Sequence, residues 1–112
     1  MIQKEKLLDA EEKFKSCSAL FIALGDPIRQ KILLDLADSG TEGINVSQLS
    51  GKSILSRPAI SHHLKVLKDS GLIEPVKHGT QIFYRITIKK HFESIKQLML
   101  VIEDILHDEE CE

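Results

Sequence analysis

The chain has 112 residues, 42% of them apolar and 29% charged, with two cysteines and a formal net charge of −2. That balance suits one soluble globular domain, long enough for a core yet small enough to gain from oligomerising. It excludes a membrane span and a disulfide framework. No apolar run approaches the length a bilayer needs, no basic stretch leads into an apolar one at the start, and the cysteines stand far apart at 17 and 111, so a reducing cytoplasm is the expected location.

Residues 2–24 are a predicted helix. Leu7, Ala10, Phe14, Cys17, Phe21 and Leu24 recur every three or four positions, the rhythm of a helix packed lengthwise on another helix. Gly25 ends it. Asp26 then caps a second helix with Pro27 in its first turn and Ile28, Ile32, Leu33 and Leu36 as its inward stripe, stopped by Ser39-Gly40. In the polar connection that follows, Ile44 and Val46 suit a short edge strand. Ser47 is the expected cap of a short third helix running to Gly51, with Leu49 inward.

Lys52 to Leu55 form a turn, and Ser56 caps a fourth helix with Pro58 in its first turn and Gly71 as its stop signal. At 100° per residue, Ile60, Leu64 and Leu67 share one side, while Arg57, Ser61, His62 and Lys65 share the other. Two cations, a hydroxyl and an imidazole with no acid among them suit the major groove of DNA, although a polar helix side is ordinarily just solvated. Two short helices joined by a tight turn make a helix-turn-helix.

After Gly71 the pattern alternates: Ile82, Tyr84 and Ile86 point one way, Phe83 and Arg85 the other. With Gly79 at the turn, this predicts a β-hairpin, the wing of a winged helix, carrying Lys77, His78 and Thr80 at a tip that can reach phosphate or minor groove. A last helix from about Lys90 to Asp108 is apolar over a broad side, from Phe92 through Ile95, Leu98, Met99, Ile102 and Ile105 to Leu106. The expected fold is therefore mainly α with a hairpin wing, a single winged helix-turn-helix domain over 1–112. Residues 47–71 are its helix-turn-helix, 72–87 its wing, and 1–24 and 90–108 its dimerisation helices, since both end helices carry more apolar surface than a monomer would hide.

Charge is divided along the chain. Residues 45–90 hold eight basic groups against two acidic ones, whereas residues 91–112 hold one lysine against seven acids. A basic reading surface beside an acidic part kept off the phosphates is the pattern of a nucleic-acid binder.

ALGDPIRQKILLDL (Ala23 to Leu36), the segment SRPAISHHLKVLKDSGLI from Ser56, and HGTQIFYRI in the wing together resemble the ArsR/SmtB family of winged-helix repressors, over roughly residues 19–106. The resemblance implies a homodimer, binding to an inverted-repeat operator in double-stranded DNA, and release by an inducer. It places Arg57, Ser61, His62 and Lys65 at base-reading positions and His63 in a structural place; Lys52 and the wing residues Lys77, His78 and Thr80 join the DNA-contact set as basic and polar groups, not through the resemblance. Relatives with a Cys-x-Cys pair bind soft metals at the third helix, but Val46 to Ser50 hold no thiol. Others bind an ion between their last helices. His91, Glu93, Asp104 and His107 have that spacing in permuted types, starting a few residues later than the family site, and would suit zinc, nickel or cobalt. The plain alternative is a set of exposed polar residues on a helix end. Cys17 and Cys111 are the candidates for a thiol switch, against a packing role for Cys17 and a thiol dulled by carboxylates at Cys111. A winged helix used only for protein contact is the rival reading, and no nucleophile–base motif points to an enzyme.

Overall fold

A computed structural model describes residues 2–110. Its elements are α1 (Lys4–Leu24), α2 (Pro27–Ser39), a 3-10 turn (Gly40–Glu42), α3 (Val46–Gly51), α4 (Arg57–Asp69), strands β1 (Ile73–His78) and β2 (Gln81–Ile86), and α5 (Ile88–Glu110). Two compact units result: Leu20–Ile88 is one, and the chain up to Ala19 with the chain from Lys89 on is the other. No helix among the described residues is long and apolar enough to cross a membrane.

In the Leu20–Ile88 unit, Asp26 starts α2 as expected. Its carboxylate accepts from the backbone N–H of Ile28 at 2.8 Å and of Arg29 at 3.2 Å. The hydrogen bond from Arg29 is the largest cause holding this carboxyl below the usual aspartate range. Ile32, Leu33 and Leu36 of α2, Leu49 of α3 and Ile60, Leu64 and Leu67 of α4 are buried, and each such side chain contributes about 1.5–3 kcal/mol. Ile28, of the same stripe, is 39% exposed at the first turn and so only partly covered.

The third helix starts earlier than expected. Ser47 is not its cap. Asn45 is, accepting from the N–H of Gln48 at 2.8 Å while the Gln48 amide oxygen accepts from the N–H of Asn45 at 3.0 Å. Such a reciprocal box satisfies two donors at once and outcompetes a lone serine. Val46 therefore lies in α3, and the edge strand shrinks to one residue, Ile44, bridged to Tyr84. Gly43 makes that approach possible: at φ +78, a Cβ there would lie 2.5 Å from the Tyr84 carbonyl oxygen. Asn45→Ala should cost about 1 kcal/mol, read as a lower urea midpoint at unchanged slope.

The strands pair antiparallel from Ile73↔Ile86 to His78↔Gln81. Gly79 (φ +62) and Thr80 make the two-residue loop, with positive φ at the first position only, the pattern of a type II′ turn.

In the other unit, α1 and α5 are joined by Lys6, whose ammonium lies 2.6 Å from Asp108 and 3.0 Å from Asp104. Hydrogen bonds to Asp108 first and Asp104 second raise its pKa. The even seam expected on α1 is split. Ala10 and Cys17 are buried, but Leu7 (48%) and Phe14 (47%), seven residues apart, are about half exposed. On α5 the inward line runs through Ile95, Leu98, Ile102 and Ile105, while Phe92 (53%), Met99 (47%) and Leu106 (52%), again seven apart, form an exposed stripe beside it. An open apolar groove of about 540 Å³ lies between the helices, lined by Leu7, Phe14, Ile102, Ile105 and Leu106 among others.

Candidate nucleic-acid interface

α4 is built to present one polar face. Ser56 caps it by accepting from the N–H of Ala59 at 3.3 Å, Pro58 occupies the first turn where its missing amide leaves no gap, and no acid stands in that turn. With Ile60, Leu64 and Leu67 fixed inward, Arg57, Ser61, His62 and Lys65 are all exposed. The Lys65 ammonium lies 3.3 Å from Asp69 one turn on, so it must leave that carboxylate to reach a phosphate or base. The two histidines divide as the helix phase predicts: His62 is exposed, His63 half-buried, with ring centroids 5.9 Å apart.

At its C-terminal end α4 closes on Gly71 (φ +83), whose N–H donates to the Lys68 carbonyl while that of Leu72 donates to Leu67. Thr87 then fastens the wing to this corner. Its Oγ1 donates to the Gly71 carbonyl at 3.1 Å and its N–H to the Leu72 carbonyl at 3.0 Å. On the other side, the Asn45 amide donates to Gln81 at 3.3 Å. Lys77, His78 and Thr80 project from the hairpin tip in solvent, and the His78 ring meets Phe83 edge-on with centroids 5.4 Å apart. Lys52, just past α3, is exposed too. Helix α4, the turn before it and the hairpin thus carry all eight residues of the DNA-contact set, each exposed and all within the Leu20–Ile88 unit. Thr87 and Asn45, which hold the wing, escaped the sequence reading. The Asn-x-x-Gln spacing was a signal for the second; nothing local marks the first.

The four residues considered for a metal do not converge within one chain. His91 stands thirteen positions before Asp104, and Glu93 fourteen before His107, on α5, about 20 Å at 1.5 Å per residue. Asp104 is already engaged by Lys6. Among the described residues no group of three or more histidine, cysteine or acidic side chains is placed to hold an ion. Cys17 is a buried free thiol, and Cys111 lies outside the described residues.

The profile of bacterial regulatory proteins of the arsR family matches residues 26–74, from the cap of α2 into β1. An HTH-type transcriptional regulator of Methanocaldococcus jannaschii is 38% identical over 85 residues, spanning 76% of this chain and 93% of that protein. The chain belongs to the arsR family. SdpR, a transcriptional repressor of Bacillus subtilis, is 32% identical over 71% of the chain and 86% of its own length. Among solved structures, an ArsR-like transcriptional regulator from Rhodococcus sp. RHA1 superposes with a TM-score of 0.71 at 31% identity, covering 81% of each chain. As an arsR-family protein this is a regulator of transcription, and the matched segment contains Lys52, Arg57, Ser61, His62 and Lys65 but stops before the wing tip and α5.

Proposed function

We propose that two copies of this chain bind an inverted-repeat operator as a cytoplasmic, non-catalytic repressor, each laying the exposed face of α4 in a major groove. The observation that carries this is the face itself: Arg57, Ser61, His62 and Lys65 are free of the core and no acid lies between them. Arg57 offers a rigid fork for guanine O6 and N7, and the shorter side chains of Ser61 and His62 reach neighbouring edges. Lys52, Lys77, His78 and Thr80 set register on phosphate and sugar. Half-sites about one turn apart, ~34 Å, match a two-fold dimer. The exposed apolar stripes on α1 and α5 supply a surface for the second copy. Selection from random duplexes tests the reading. One enriched inverted repeat is expected, and a chain used only for protein contact would enrich none.

Release by a metal ion would require ligands from two chains, and an ion at Asp104 would have to displace the Lys6 ammonium. Operator affinity is therefore expected to stay within twofold when zinc, nickel or cobalt is added, with no metal retained by elemental analysis. A stoichiometric ion together with a changed affinity would return His91, Glu93, Asp104 and His107 to the site.

A further inference from the structure

Arg29 is in no DNA-contact set, yet its surroundings are unusual for a cation. Its side chain is 12% exposed. Nε donates to the Ala23 carbonyl and one terminal nitrogen to the Ile22 carbonyl, both at 2.9 Å, which satisfies two of the acceptors left over in the last turn of α1. The other terminal nitrogen lies 3.4 Å from Nδ1 of His63 on α4 and 3.9 Å from the Asp26 carboxylate. Guanidinium is a donor only, so the ring nitrogen facing it must be the one bearing the lone pair.

Among the described residues, this is the one side-chain hydrogen bond that joins α4 to another element. The buried side of α4, Ile60, Leu64 and Leu67, is apolar, and apolar burial resists separation but is non-directional and specifies rotation weakly. Rotation is what base reading depends on. With side-chain tips about 5–6 Å from the axis, a roll of about 10° displaces them by about 1 Å.

Resting on the operator-binding reading, we infer that Arg29 and His63 are positioning residues. The guanidinium, itself held by the end of α1, sets the roll of α4 through His63 and so aims Arg57, Ser61 and His62. Neither residue touches DNA. At 3.4 Å the contact is long, so its effect is moderate and falls on specificity.

His63→Leu keeps the bulk and removes the acceptor, whereas His63→Gln restores an acceptor. For proteins of matched thermal midpoint, His63→Leu should lose about tenfold in affinity for the selected repeat, with unchanged affinity for unrelated duplex. His63→Gln should stay within about threefold of the parent. Equal losses in both variants, or none in His63→Leu, would overturn the inference. Amide exchange along α4 without DNA separates this from the parent reading: faster exchange is expected in His63→Leu and not in His63→Gln. If the unmodified protein enriches no repeat, operator binding falls, and the exchange pattern alone then decides whether Arg29 steadies the helix.

Discussion

Arg57→Ala should weaken binding to the selected repeat by about 1–3 kcal/mol, roughly 5- to 150-fold, and flatten base preference at one position of each half-site. Arg57 is the first residue of α4, exposed, and paired with no acid among the described residues, so its fork is available to a ligand without first giving up a partner. Arg57→Lys is the sharper comparison. It keeps the charge and loses the fork, so affinity for unrelated duplex should hold while preference falls. Lys77→Ala, at the wing tip, should weaken binding to every sequence alike and reduce the slope of log affinity against log salt by about one. Lys65→Ala should cost less than Arg57→Ala, because Lys65 must first leave Asp69 at 3.3 Å. If Arg57→Ala and Lys77→Ala gave the same sequence-independent loss, α4 would be a phosphate-binding helix and the reader would lie elsewhere.

How far such an interface is legible from residues alone depends on whether its signals are local. Ser56, Pro58 and Gly71 bound α4 by chain chemistry that acts within one turn, and Ile60, Leu64 and Leu67 fix its phase. The same holds for Asp26 and Pro27 at α2 and for Gly79 in the wing. Asn45 displaced Ser47 as a cap because its advantage is shared with Gln48, a pairwise effect that scanning single cap residues overlooks. The seam on α1 is legible as a packed helix side, but which part of it the same chain covers is not. A three-four rhythm says that a helix is packed along its length, but not whether its own chain does all the covering, and Leu7 and Phe14 remain half exposed. Arg29 and Thr87 act across 34 and 16 positions of sequence, on His63 and on Gly71, and no spacing rule reaches that far. The spacing of His91, Glu93, Asp104 and His107 was readable, but spacing along one helix does not say what stands opposite it. Here Lys6 stands opposite Asp104.

Met99→Glu should produce a monomer and lower operator affinity by two to four powers of ten. Met99 is the middle of the stripe Phe92, Met99 and Leu106, about half exposed, on the same unit as Leu7 and Phe14. An exposed apolar stripe of this kind is costly to leave in water, and a second copy using the same face is the symmetric way to cover it. A carboxylate at its centre would have to be desolvated without a partner, twice in a two-fold interface, which association cannot offset. The fold should survive, since Met99 lies beside the buried line through Leu98 and not in it; the helical signal should be retained while sedimentation reports half the mass. The large loss on DNA follows from linkage: two α4 helices held on one dimer turn the second half-site contact into an intramolecular event, and the monomer forfeits that gain without changing any contact at a single half-site. Binding to an isolated half-site should therefore be equal in Met99→Glu and the parent. A Met99→Glu protein that remained dimeric, or a monomer that bound the full repeat as tightly as the parent, would remove the end helices from the interface.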